Sequence, residues 1–170
     1  DDHGNIEDNP SIRQLWPIWE VFLQQSPLGT YVHGRPVVSL SLALNYKIGG
    51  IRTFPYHLTN LAIHVLAGLT LLGIVRRTLC LPSLGGSYER VATPLAFAIA
   101  AIWALHPLQT QAVTYVIQRY ESMMGLFCLL SLYCVIRSDS SPEARKWTVA
   151  AVAACLLAMG CKEVAVSLPL

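Results

Sequence analysis

Three short stretches hold most of the side chains that could do chemistry in this 170-residue chain. The first runs from His106 to Glu121 (His-Pro-Leu-Gln-Thr-Gln-Ala-Val-Thr-Tyr-Val-Ile-Gln-Arg-Tyr-Glu), a polar, part-charged segment set between two apolar runs. The second, Lys162-Glu163, follows another apolar run, and the third is the acidic pair Asp1-Asp2. Carboxylates at a desolvated interface act as bases or hold a cation, and Arg, Lys and His beside them neutralise a phosphate. A lipid-linked phosphosugar would present its phosphate at this depth, its tail in the bilayer. Transfer of its sugar needs a base for the acceptor hydroxyl and positive charge for the departing phosphate. Asp1 and Asp2 supply the first type of group; His106, Arg119 and Lys162 supply the second.

Each of these residues also has a plainer use. Arg119 with Glu121, and Lys162 with Glu163, serve as interfacial ion pairs that anchor helix ends, and snorkelling accounts for Lys162 alone. Asp1-Asp2, taken by themselves, read first as solvated loop acids. His57 and His64 lie seven apart and can share a helix face with Asn60 between them, a polar seam that suits packing and interhelical hydrogen bonds better than a metal. Trp103, Tyr115, Tyr120 and Trp147 read as anchors at the membrane interface.

The elements that must position these groups read as membrane helices. Hydrophobic residues make up 54% of the chain and charged ones only 13%, about half of the ~25% of an average soluble domain. A net charge of +2 with no basic cluster argues against a nucleic-acid partner. The five cysteines form no C-x-x-C pair, and four sit inside apolar runs, as small packing residues do. No P-loop, G-x-S-x-G, zinc or dinucleotide signature is present. The N-terminus lacks a Met and a signal-peptide pattern, and the chain stops in the apolar run 164–170, which reads as a piece of a longer polypeptide.

Residues 1–35 are turn-rich, and the two-tryptophan stretch Ile12–Leu23 predicts a short helix lying on the bilayer. A second amphipathic helix is predicted over 36–49, between Pro36 and Gly49-Gly50. Residues 53–75 contain no Asp, Glu, Lys or Arg, and Leu58 to Val75 spans ~27 Å as a helix, close to the ~30 Å hydrocarbon thickness. Further spans are predicted near 91–105, 113–136 and 142–161, the last capped by Ser141-Pro142-Glu143. The expected fold is therefore an all-α, polytopic membrane helical bundle of about four transmembrane helices with interfacial amphipathic helices. Residues 1–57 form an extracytoplasmic loop region and 58–170 the transmembrane region.

Lys/Arg excess in short loops marks the cytoplasmic side. Arg76, Arg77 and Arg90 in one loop, and Arg137, Arg145 and Lys146 in another, predict that both face the cytoplasm. The remaining segments then face outward, bringing Asp1, Asp2, His106, Arg119, Glu121, Lys162 and Glu163 to one rim of the bilayer.

Several segments taken together resemble a known family. They are Asp1-Asp2-His3-Gly4-Asn5-Ile6 through Asn9-Pro10, Arg35-Pro36 through Leu44-Asn45-Tyr46 to Gly49-Gly50, Tyr56-His57-Leu58-Thr59-Asn60-Leu61 to His64, His106 through Val113, and Lys162-Glu163 through Pro169. In order and spacing they are similar to the transmembrane and tetratricopeptide-repeat O-mannosyltransferases and their bacterial relatives, which are GT-C-type glycosyltransferases. The resemblance implies a multi-spanning helical enzyme that takes sugar from a polyprenyl-phosphate donor and glycosylates a protein acceptor outside the cytoplasm. It implies an acidic first-loop motif as the catalytic centre, which maps onto Asp1 and Asp2. It also implies a hydrophobic helix before that motif and tetratricopeptide repeats downstream; the chain contains neither. The membrane would be a bacterial inner membrane, or the endoplasmic reticulum in a eukaryote.

The resulting expectation places catalysis at Asp1 and Asp2 and phosphate binding at His106, Arg119 and Lys162. Glu121, Glu163, His57, Asn60 and His64 support them. Metal ligands stay unassigned, because GT-C relatives differ in divalent-metal dependence and no ligand pattern is present. The competing expectations are a non-catalytic membrane anchor displaying a repeat domain and, below it, a transporter.

Overall fold

The computed structural model describes residues 35–84 and 86–167, and among them every regular element is helical. The expected helix over Ile12–Leu23, the Asp1-Asp2 pair and the closing Leu168-Pro169 lie outside the described residues. Pro36 begins α1 (Pro36–Gly49), its fixed φ suiting a first helical turn. The long helix α2 (Thr53–Leu79) carries Arg76 and Arg77 in its last turn, where the exposed carbonyls favour cations.

Helix α3 (Ala92–Leu105) stops at His106, which is held extended at φ −63° and ψ 134°. The residue after it is proline, whose ring disfavours the helical conformation one position earlier. A single turn (Pro107–Gln109) and the short α4 (Thr110–Thr114) follow, bent 56° away from α3. The predicted third span begins here near 113, but the chain breaks at 115–118 and the long helix α5 runs Arg119–Asp139. The break has a physical cause. The Tyr115 carbonyl leaves the helical ladder and accepts from Asn60 Nδ2 at 3.1 Å, while Val116 plugs the core. Helix α6 (Ala144–Met159) is preceded by Ser141, whose hydroxyl accepts from the Glu143 backbone N–H at 3.2 Å, and a 3-10 turn (Glu163–Ser167) follows.

Helices α2 and α5 are long and apolar enough to cross a membrane, and α3 with the 107–114 segment makes a third if that bent pair is one span. The fourth apolar helix, α6, has 16 residues and reaches only ~24 Å. The main packing contacts run α3 to α2, α2 to α5 and α5 to α6, with α1 lying across the α2–α5 junction. Ser131 Oγ donates to the Ala151 carbonyl at 3.0 Å and stitches α5 to α6. The core gathers Val38, Leu42, Tyr56, Ile63, Met123 and Leu126. Outward faces stay apolar: Leu58, Leu61, Val65 and Leu69 on α2, and Val149, Val152 and Leu156 on α6, are all exposed. Such faces suit hydrocarbon rather than water.

The end of α6 is tied to the start of α1. Val37 N–H donates to the Gly160 carbonyl at 3.3 Å, and a Cβ on Gly160 would come within 2.6 Å of Val37 Cγ2. Only glycine permits this approach, which sets Cys161 and Lys162 beside α1 and α5.

Candidate functional site

The buried centre of the site is Arg119, the first residue of α5, with 0% of its surface exposed. Its Nε donates to Asn60 Oδ1 at 2.8 Å, Nη1 to Asn45 Oδ1 at 2.5 Å, and Nη2 to the Tyr56 carbonyl at 2.9 Å. A fourth, longer bond reaches the Ser41 carbonyl at 3.5 Å, and the guanidinium lies 5.7 Å from the Tyr56 ring centre. All four acceptors are neutral oxygens. Guanidinium tolerates such burial because its planar fork spreads one charge over several fixed donors. Asn60 receives from Arg119 and passes its own amide hydrogen to Tyr115, so three helices and the 115–118 break meet at one polar knot. A network closed in this way rigidifies the packing around it.

Two residues beyond Arg119, Glu121 Oε1 accepts from Lys162 Nζ at 2.6 Å. The pair stands half in the open, the lysine side chain 28% and the glutamate 48% exposed. Lys162 Nζ also lies 5.2 Å from the Tyr120 ring centre, and the Arg35 guanidinium lies 4.0 Å from the same centre. Tyr120 is thus flanked by two cations, each drawn to its negative face.

A cleft of about 480 Å³ opens next to this group, between α2 and α5 with the 107–114 segment as its third wall. His64, Trp103, Gln109, Gln118, Glu121 and Ser122 line its polar part. His64 Nε2 lies 3.0 Å from the Ala104 carbonyl, and its ring stacks on Trp103 with centres 5.1 Å apart. Burial pushes the Cys161 thiol, beside Lys162, up to about 12, with Cys128 adding to the effect.

The expected residues distribute unevenly over this end of the bundle. His64 and Glu121 meet in the cleft, Lys162 is bound to Glu121, and Asn60 and Arg119 sit together behind it. His106 is exposed at the α3 elbow, its Nδ1 accepting from the Leu108 N–H at 3.2 Å, and does not line the cleft. His57 is exposed on the first turns of α2 although His64, seven residues on, is buried. Glu163 is exposed at the start of the last 3-10 turn, and among the described residues Glu121, not Glu163, holds Lys162. Asp1 and Asp2 lie outside the described residues. No group of three His, Cys, Asp or Glu side chains is placed to hold a metal among the described residues. Asn45, Tyr56, Tyr120 and Arg35 join the site without having been singled out as site residues; the available signal was Asn45, the one amide side chain in the amphipathic helix α1.

Comparison with known proteins finds relatives of this chain. Protein O-mannosyl-transferase TMTC2 of Mus musculus is 34% identical over 131 residues, which cover 76% of this chain. Protein O-mannosyl-transferase Tmtc3 of Drosophila melanogaster is 30% identical, and TMTC3 of Homo sapiens 27%, each over 96% of the chain. The chain belongs to the TMTC-like family. This TMTC-like chain spans only 14% of the mouse relative, 20% of the fly relative and 17% of the human one. No family model and no solved structure matches it. The TMTC-like chain is an all-α membrane bundle whose polar residues cluster at two separate ends, the first of them the Arg119 knot and its cleft.

Proposed function

We propose that this chain is the part of a membrane glycosyltransferase that receives a polyprenyl-phosphate sugar, the sugar passing to a hydroxyl of a protein acceptor on the extracytoplasmic side. The observation that carries the reading is the half-exposed Glu121–Lys162 pair beside the polar cleft. The relatives' names, protein O-mannosyl-transferases, add the reaction class and make mannose the first sugar to test. The whole protein's activity, donor and acceptor belong to this proposal.

In the proposed step the acceptor oxygen bonds to the anomeric carbon as the bond from that carbon to the phosphate oxygen breaks. The polyprenyl phosphate leaves with the electron pair, and the acceptor's proton passes to Asp2 or Asp1. Lys162 meets the departing phosphate, with His106 reaching it from the elbow, because a cation placed where negative charge develops lowers the barrier. Glu121 holds Lys162 in place, and Glu163 and His57 stand on the surrounding surface. Arg119 acts from behind: its donors are engaged by Asn60, Asn45 and backbone carbonyls, so it fixes the helices that carry Glu121 rather than touching the donor. His64 and Trp103 form the cleft wall against which a polyprenyl chain or sugar packs. In a eukaryotic cell the host membrane would be the endoplasmic reticulum with residues 1–57 in its lumen; in a bacterium, the inner membrane with residues 1–57 outside.

The test is label transfer from polyprenyl-phosphate mannose to protein by membranes carrying the full-length protein. Asp2→Asn and Lys162→Met are each expected to abolish transfer with expression unchanged. Full transfer by both variants would refute the assignment. Failure of the wild-type protein with every polyprenyl-phosphate sugar would favour a non-catalytic anchor.

A further inference from the structure

The far end of the bundle holds a second polar group that plays no part in the reading above and does not depend on it. Some twenty residues along α2 from Tyr56, or ~30 Å at helical rise, Arg76 and Arg77 end the helix. Facing them on α5 are Tyr133 and Arg137, and together with Leu72, Gly73 and Cys80 these residues line a cleft of about 390 Å³. Arg77 Nε donates to the Tyr133 hydroxyl oxygen at 3.4 Å, and Arg137 Nη1 donates to the same oxygen at 3.3 Å. The Arg137 guanidinium also stacks 4.4 Å from the Trp147 ring centre.

Two guanidinium groups therefore converge on one phenol oxygen, the third, that of Arg76, lines the same cleft, and among the described residues no carboxylate lines it. The ion pairs formed among the described residues, Lys146–Glu143 and Lys162–Glu121, involve none of the three. Arg137 Nε is buried and has no hydrogen-bond partner among the described residues. Leaving a charged donor without an acceptor is costly, and a phenol oxygen offers only two lone pairs to the two donors already there. The close seat of Tyr133 is built in: a Cβ on Gly73 would lie 2.9 Å from Tyr133 Cε2, so only glycine lets the ring lie against α2. An anion with several oxygens would satisfy the guanidinium donors of Arg76, Arg77 and Arg137 that line the cleft, as guanidinium–phosphate geometry favours.

We propose that the cleft formed by Arg76, Arg77 and Arg137 around Tyr133 binds a phosphate group. Its position at the ends of two membrane-length helices, with Leu72 as its apolar side, makes an anionic phospholipid headgroup the expected carrier; free phosphate is the other source of the same chemistry.

The experiment uses the full-length protein in nanodiscs of phosphatidylcholine, with or without phosphatidylglycerol. Lipid retained is read by native mass spectrometry, and inorganic phosphate is titrated separately into the phosphatidylcholine discs with the melting temperature as readout. The wild type is expected to retain phosphatidylglycerol in preference to phosphatidylcholine. Arg77→Gln/Arg137→Gln is expected to weaken that preference about tenfold or more, the loss of charge-assisted hydrogen bonds to one phosphate. Arg76→Gln changes an exposed side chain that packing does not need, and is expected to weaken the preference by several-fold with an unchanged melting temperature. A response to phosphatidylglycerol but not to inorganic phosphate identifies the headgroup as ligand; a response to both identifies a phosphate site open to solution. Equal retention of the two lipids by the wild type with no response to phosphate, or an undiminished preference in Arg76→Gln and in the double variant, overturns the proposal.

Discussion

Arg119 Nε and Asn60 Oδ1 lie 2.8 Å apart, both side chains fully enclosed, joining the first turn of α5 to the second turn of α2. Among the described residues no carboxylate neutralises the arginine; amide and peptide oxygens solvate it instead. The α2–α5 contact at this end therefore depends on acceptors that are individually replaceable and collectively required.

Asn60→Leu should destabilise the protein by about 3 kcal/mol, because it strands a buried guanidinium N–H and the Tyr115 carbonyl at once. Asn60→Asp, which keeps an acceptor for Nε, should lose much less. Thermal melts in detergent distinguish the two, and a Leu variant melting with the wild type would contradict the knot's structural role.

The Glu121–Lys162 pair is part-exposed, so its contribution to stability should be small, about 0.5 kcal/mol or less. Its contribution to transfer should be large. Glu121→Gln is expected to melt like the wild type yet transfer sugar poorly. The swap Glu121→Lys/Lys162→Glu should restore the pair without restoring transfer. Recovery of transfer in the swap would show that the pair serves packing alone.

Gly160→Ala should cost about 1–3 kcal/mol, since its Cβ would press on Val37 Cγ2 at 2.6 Å in a packed contact. The companion change Val37→Ala should recover part of the loss. Melting temperatures of the single and double variants check this, and additive losses would count against the contact.

Cys161 is fully buried and burial pushes its thiol up to about 12, whereas Cys80 is exposed. At pH 8 a maleimide should label Cys80 in the folded protein and reach Cys161 only after denaturation, because the thiolate is the nucleophile. The sign for stability follows: a folded-state value raised above the ordinary 9.0 leaves the contribution intact below pH 9 and removes it as pH climbs from 9 towards 12. Mass spectrometry of labelled peptides reads the first outcome and melts between pH 8 and 10 the second. Prompt labelling of Cys161 in the native state would contradict both.

The helices were legible because their signals are local. Pro36, the charge-free stretch from Thr53 and the Arg76-Arg77 terminus each mark a boundary that local chemistry enforces, whereas the expected Ser141 cap is displaced: the helix starts at Ala144 and Ser141 closes only the turn before it. The interruption at 115–118 was not legible, because it depends on Asn60, 55 residues earlier, capturing a carbonyl that a helix would otherwise use. The same limit applies to the site. Residue type drew attention to Arg119, Lys162 and Glu121, yet which carboxylate would hold the lysine is a matter of tertiary approach across 41 residues. Composition also cannot separate a charge that faces a ligand from one solvated internally by asparagines, and Arg119 is the second kind in this fold.

One consequence of the helix lengths concerns the surrounding lipid. The 27 residues of α2 would reach ~40 Å, while the 14 of α3 and 16 of α6 reach ~21 and ~24 Å. A hydrocarbon layer of ~30 Å therefore meets a tall α2 with the low α3 packed on one side and, beyond α5, the low α6, and mismatch of this kind is relieved by pinching the leaflet or tilting the longer helix. Beside the α3 elbow, a thinned leaflet would shorten the path from the acyl chains to the polar side chains above them.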